Sequence, residues 1–253
     1  MSAFTTRLSW RWVVLGMAVY VGVLIGTVPA SWADRYLEDI SAGRIRLAGA
    51  QGTLWSGSGI LQIQDAAGRD GISKALSWQM RAAGVLRGEL VCDFRIDQSK
   101  RDARIVFSRY RVDIADMDLD LPARALALAL PKLHPLQLAG DILVHTSGVS
   151  IGRLETRGMA TLRWRNAGST ISTVPMLGEY EFRIEAQGNS MRSTLVTLDG
   201  PLRLTGNGTW QVGENPRFAG AAHVEADYSA RLAPLLRLIA PQRSDGTFEI
   251  LLR

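Results

Sequence analysis

From residue 45 to residue 118 apolar residues alternate with polar ones, in short runs separated by turn residues. This period of two restricts the fold more than any other feature, because successive side chains of a strand point to opposite faces and only a sheet buries every second one. The runs at 60–64, 76–80, 90–96, 104–107 and 110–114 are rich in Val, Ile and aromatic residues, which suit a pleated surface. Runs recurring about every 10 residues with turn signals between them predict an antiparallel meander.

The second half repeats the pattern. Strand signals at 136–138, 142–144 and 149–151 are punctuated by Gly140 and Gly148. Further runs lie at 160–164, 180–184, 193–198, 202–204, 209–212, 218–224 and 247–252, with Gly206, Gly208 and Gly213 breaking the series. Two stretches depart from it. Residues 121–131 are Ala- and Leu-rich between Pro122 and Pro131, and predict a short helix, Pro122 suiting its first turn. Residues 230–239 read the same way, although Pro234 interrupts them.

The two halves share short motifs. Leu76-Ser77-Trp78 is followed by Gly88-Glu89 and Phe94-Arg95-Ile96; Leu162-Arg163-Trp164 is followed by Gly178-Glu179 and Phe182-Arg183-Ile184. The offset stays near about 90 residues, as in a duplicated β unit. The fold expected is therefore mainly β: a curved antiparallel sheet with short helices, in repeats over 45–131 and 136–253.

Ahead of the strands lies an apolar segment, residues 13–33, with no charge between 13 and 28. About 20 apolar residues suffice for a helix to cross a bilayer, and a lone span must satisfy its own backbone. Arg7 and Arg11 precede it, which sets the N-terminus in the cytoplasm by the positive-inside rule. The expected organisation is a cytoplasmic tail over 1–12, a single transmembrane helix over 13–33 and a periplasmic β-rich domain over 34–253. A cleaved signal peptide competes with this, since Ser31-Trp32-Ala33 fits a small-x-small cleavage pattern. Residues 34–40, with Tyr36, Leu37 and Ile40 on one face, predict a short helix after the anchor.

Composition narrows the chemistry. The net charge of +5 includes Arg7 and Arg11, and no long run of like charge follows. Basic residues alternate with apolar ones, as in Arg109-Tyr110-Arg111-Val112, in the manner of solvated strand faces, so nucleic acid is not an expected partner. Cys92 is the one cysteine; it rules out an internal disulfide and sits in an apolar run as a small core residue. His134, His145 and His223 lie in unrelated segments without ligand spacing. Ser56 and Ser58 sit in a Gly-rich turn that lacks the Gly-x-Ser-x-Gly spacing of a nucleophile elbow. Asp116, Asp118 and Asp120 open like a calcium loop, but Leu121 and Ala127 stand where its Gly and its terminal Glu belong. No phosphate-binding glycine loop occurs. The expectation is a protein that is not an enzyme, with no catalytic, cofactor-binding or metal-binding residues and no cofactor.

Gly52-Thr53-Leu54-Trp55-Ser56-Gly57 begins a resemblance to a known family. It continues through Pro29-Ala30, Leu76-Ser77-Trp78, Leu177-Gly178-Glu179, the stretch from Gly200-Pro201-Leu202 to Gly208-Thr209-Trp210, and Asp245-Gly246. In the order of these motifs the chain resembles protein N of the type II secretion system, a bitopic inner-membrane component. The resemblance implies a retained anchor, an accessory role in moving folded proteins from the periplasm across the outer membrane, and no catalysis. It also implies partners within that machine, either the inner-membrane platform or the secretin. The alternative from the residues is a periplasmic lipid-handling module, in which a curved sheet offers an apolar groove to an acyl chain.

Overall fold

The structure is a computed structural model that describes residues 10–41, 43–64, 71–97, 102–129, 131–153, 155–215, 217–232 and 248–252. It is mainly β, with fourteen strands and short helices among the described residues. The chain divides into two compact units, residues 1–80 and 81–253.

In the smaller unit two helices, α1 (Trp10–Gly26) and α2 (Ser31–Ile40), precede a meander of β1 (Ile45–Gly52), β2 (Ser56–Gln64) and β3 (Gly71–Arg81). Leu47, Ile72 and Trp78 are its buried strand residues, and Ala30 is buried at the entry to α2. The single helix expected over 13–33 is not what forms. α1 stops at Gly26 and α2 starts at Ser31, so the apolar segment is two helices joined by a turn. Among the described residues no helix is long and apolar enough to cross a membrane.

The break has a local cause. Pro29 has no N–H to continue a helix. Its neighbours instead pair with the β1–β2 turn: Leu54 N–H donates to Val28 O at 2.8 Å, and Ala30 N–H donates to Gly52 O at 3.1 Å. Thr27 closes α1 by donating its hydroxyl to Val23 O at 2.8 Å. α2 is then tied to the sheet where Leu47 N–H donates to Asp34 Oδ1 at 2.6 Å. It begins three residues earlier than the sequence predicts.

The larger unit holds β4 (Glu89–Ile96), β5 (Ala103–Ser108), β6 (Arg111–Ile114) and β7 (Met117–Pro122), then α3 (Arg124–Ala129). Seven strands follow: β8 (Leu138–Gly152), β9 (Thr156–Ser169), β10 (Gly178–Gly188), β11 (Ser190–Asp199), β12 (Leu202–Gln211), β13 (Phe218–Val224) and β14 (Phe248–Leu252). Every recorded pair is antiparallel, in the order β4-β5-β6-β8-β9-β10-β11-β12-β13-β14. β6 and β7 share one side of β8, β6 along residues 149–152 and β7 along 141–146.

Four glycine readings change here. Gly140 and Gly148 do not end strands; both lie inside the 15-residue β8, with φ of +102° and +56°, where the register to β9 shifts. Such bulges bend and twist a sheet without interrupting it, which produces the expected curvature. Gly206 and Gly208 likewise fall inside β12, where Phe218 and the β13 backbone leave no room for a Cβ.

The helix expected at 121–131 is shorter. Leu121 and Pro122 belong to β7, paired with Ile142 and Asp141, and α3 begins at Arg124. Pro122 is tolerated at the end of a strand. Of the helix expected at 230–239, residues 233–239 lie outside the described residues, as does Thr247 ahead of β14.

The core of this unit gathers Leu136, Val174, Leu177, Leu202, Ala222 and Leu232. Tyr180 is buried beside it and donates its hydroxyl to Leu202 O at 2.9 Å, so burial is accompanied by a bond. Burial pushes this phenol well above its ordinary range.

Candidate functional site

The residues weighed from the sequence do not converge. Thr53 and Ser56 close a turn on themselves, with Thr53 N–H donating to Ser56 O at 2.8 Å and Ser56 N–H to Thr53 Oγ1 at 3.2 Å. Gly52 supplies the positive φ of +89° that this turn needs. Cys92 is buried, and burial followed by the neighbouring Asp93 charge pushes its thiol up, away from the reactive thiolate. Asp118 and Asp120 are exposed on β7, as expected of the wet face of a strand. One pairing escaped the sequence: His145 Nδ1 lies 2.6 Å from Asp118 Oδ1, across the β7–β8 pair. His223 is exposed on β13, and nothing is described of the His134 side chain. Among the described residues no three or more His, Cys, Asp or Glu are grouped to hold a metal ion.

A carboxylate between two guanidinium groups marks the start of the larger unit. Asp93 on β4 accepts from Arg81 at 2.7 Å and from Arg104 on β5 at 2.6 Å. Burial pushes its carboxyl up, but the bonds and charges of Arg104 and Arg81 outweigh this and hold it below its ordinary value. This arrangement secures β4 against β5, and each carboxylate oxygen already accepts from one guanidinium.

The feature that gathers unsatisfied charge is a cleft of about 800 Å³ at one end of the larger unit's strands. It is lined by Arg87, Arg109, Arg111, Arg153 and Arg157, with Glu89 and Glu155 as the acids. Three turns bring these together. The 3₁₀ turn Ala82–Arg87 ends at Gly88, whose φ of +76° redirects the chain into β4. The β5–β6 turn carries Arg109 and Tyr110, and the β8–β9 turn carries Arg153 and Glu155. The pairing of Arg111 with Gly152 across β6 and β8 places the last two turns side by side.

Two of the arginines are partly neutralised, Arg111 by Asp113 at 2.8 Å and Arg157 by Glu155 at 3.1 Å. Arg109 stands over the Tyr110 ring at 5.4 Å. Arg87, Arg109 and Arg153 have no ion-pair partner among the described residues. Sequence reasoning took the basic residues around Tyr110 for a solvated strand face. The missed signal is that Arg87, Arg109 and Arg153 all stand at turns beside Gly or Ser.

Fold and cleft together define an antiparallel β-sheet protein that presents a basic recess at its strand ends. The chain belongs to the type II secretion system protein N family: the family model described as Type II secretion system (T2SS), protein N matches residues 43–250. No curated protein and no solved structure matches it. Membership supports an accessory role in type II secretion and, in general terms, interaction with other components of that system.

Proposed function

We propose that the protein is a non-catalytic accessory component of the type II secretion system, held at the bacterial inner membrane by its N-terminal apolar segment. Its N-terminus faces the cytoplasm and its β-rich bulk lies in the periplasm. There it aids the export of folded proteins across the outer membrane by contacting the inner-membrane platform or the secretin. The observation that carries this reading is the family match over residues 43–250.

The location draws support from two features. Arg7 and Arg11 precede a stretch with no charge from residue 13 to 28, the asymmetry that orients an inserted segment. In addition, α1 exposes Trp10, Trp12, Leu15, Met17, Tyr20 and Leu24 on all sides, each at least 50 % accessible. A helix apolar all round is stable only when surrounded by an apolar phase.

The test is to cross-link the full-length protein in cells, isolate it from membranes and identify what accompanies it. Other type II secretion components are the expected co-purifying species. Recovery of lipid carriers with none of those components would overturn the reading. Thiol labelling of cysteines placed before α1 and after α2 tests the orientation, which fails if both are accessible from the same side.

A further inference from the structure

α2 meets its sheet with its polar side. A helix packed on a sheet ordinarily turns its apolar stripe inward. Here Leu47 N–H donates to Asp34 Oδ1 at 2.6 Å, the Arg46 guanidinium donates to Glu38 Oε2 at 3.3 Å, and Ile45 N–H donates to the Ser41 hydroxyl, just past the helix, at 2.9 Å. No residue of α2 is buried. Bonds to β1 therefore fix which side of the helix faces the sheet.

The side left outward is apolar. Trp32, Tyr36 and Ile40 are exposed by 64 %, 66 % and 63 %. Their spacing of four puts them within about 80° of one another around the axis. Asp34 and Glu38, two residues before and after Tyr36, lie about 160° away from it. Arg35 and Asp39 border the stripe on one side, and the half-buried Ala33 and Leu37 border it on the other.

The chain around this stripe points to its occupant. α1, apolar and exposed on all sides, ends at Gly26, and α2 begins at Ser31. Five Cα steps span at most about 18 Å, so α2 starts beside whatever phase surrounds α1. Its outward residues suit a boundary, since Trp and Tyr concentrate where membrane meets water. α1 carries a matching pair at its other end, Trp10 and Trp12, both exposed.

A second copy of the chain is the main competitor. A stable protein pair buries about 800 Å² on each partner, and three part-exposed side chains of about 150–250 Å² each supply roughly half of that. A bilayer sets no such minimum, because α1 already brings the stripe to it.

We propose that α2 is an interfacial helix: it lies along the periplasmic surface of the bilayer that α1 enters, with Trp32, Tyr36 and Ile40 at the boundary between headgroups and acyl chains. The proposal rests on the reading that α1 enters the membrane, and deepens it by naming the side of the smaller unit that faces lipid.

The experiment attaches a nitroxide spin label to single cysteines in the full-length protein: Trp32→Cys, Tyr36→Cys and Ile40→Cys in the stripe, Arg35→Cys beside it, Val19→Cys in α1 and Arg192→Cys on β11. Cys92 is buried, and the unsubstituted protein is the labelling blank. In vesicles of phosphatidylethanolamine and phosphatidylglycerol, collisions with lipid-soluble oxygen and a water-soluble nickel chelate give the depth of each label. Labels at 32, 36 and 40 are expected about 5–10 Å below the headgroup boundary. Their oxygen-to-nickel ratio is expected to be several-fold above that of Arg35→Cys, with Arg192→Cys in water. Should Trp32→Cys lose its thermal unfolding transition, Tyr36→Cys and Ile40→Cys carry the same test.

Val19→Cys reports the anchor separately. A stripe in water with Val19→Cys in lipid would overturn the interfacial helix and leave the anchor standing. If Val19→Cys is in water the anchor fails instead, and the depth of the stripe still decides for or against the interfacial helix. Stripe labels shielded from both reagents would assign the surface to a second copy and overturn the lipid assignment.

Discussion

In the smaller unit Trp78 donates its indole N–H to Leu54 O at 3.0 Å, and in the larger unit Trp164 donates to Ala139 O at 2.9 Å. The acceptors lie 24 and 25 residues upstream, so the two Leu-x-Trp motifs make matching bonds. Their settings differ. Trp78 is 5 % exposed and stands across the β2–β3 pair from Gly57, whose missing side chain makes room for the ring. Trp164 is half-buried, stands across the β8–β9 pair from the fully buried Ile142 and packs on Tyr180 at 5.8 Å. A similar bond thus anchors most of a thin core in one unit, and is one contact among many in the other.

The largest effect that would break this comparison is truncation of the two rings. Trp78→Ala should cost about 3–5 kcal/mol, the range for a buried aromatic. Trp164→Ala should cost about 2 kcal/mol, because less of the ring leaves water and Tyr180 remains. Urea denaturation followed by circular dichroism measures both. The reverse order would show that the thin core is not where Trp78 matters.

The next test sharpens the contrast between the facing residues. A Cβ on Gly57 would lie 2.5 Å from Trp78 Cζ2, so Gly57→Ala should cost about 1–3 kcal/mol by overpacking. In a Trp78→Ala background the part of that cost due to the ring should vanish, since the two positions are coupled, while the contact with the backbone Gln51 O remains. Additive losses in the same denaturation series would place the strain elsewhere, for instance against Gln51 O, which the new Cβ also meets at 2.5 Å.

The smallest expected effects concern the acids that precede the two Phe-Arg-Ile motifs. Asp93 is held by two arginines and is 12 % exposed, whereas Glu181 has Arg183 alone at 2.8 Å and is 22 % exposed. Asp93 titrates below its ordinary value when folded, so its contribution is full above the ordinary carboxylate range. That contribution is lost as pH falls through the folded value. Asp93→Asn should therefore lose about 1.5 kcal/mol at neutral pH, both arginines reaching solvent, and much less in acid below the folded value of Asp93. Glu181→Gln should change stability by less than about 1 kcal/mol at neutral pH. Urea midpoints measured across this pH range check both, and an unchanged acid limb in Asp93→Asn would refute the assignment.

Much of the sheet was legible because strand alternation is written residue by residue. Leu90, Cys92 and Phe94 against Val91, Asp93 and Arg95 need no partner to be read as two faces. Boundaries failed where glycine carried two meanings. Gly140 and Gly148 look like turns in sequence, and only the register to β9 shows them to be bulges within one long strand. Of the arginine cleft, only the placing of single arginines at turns was legible. Arg87, Arg109 and Arg153 sit in three separate turns, and no local pattern encodes their proximity.

The sequence by itself determined the class of the fold, the family and the apolar character of the N-terminal segment, because period, composition and motif order are local properties of the chain. Pro29 marks a local weak point in this segment, but only the tertiary structure decided that the chain turns there, with Val28 and Ala30 bonded to a turn more than twenty residues away. Tertiary structure also decided where charge collects. Ion pairs and clefts depend on which strands become neighbours, and a single run of residues does not specify its partner strand.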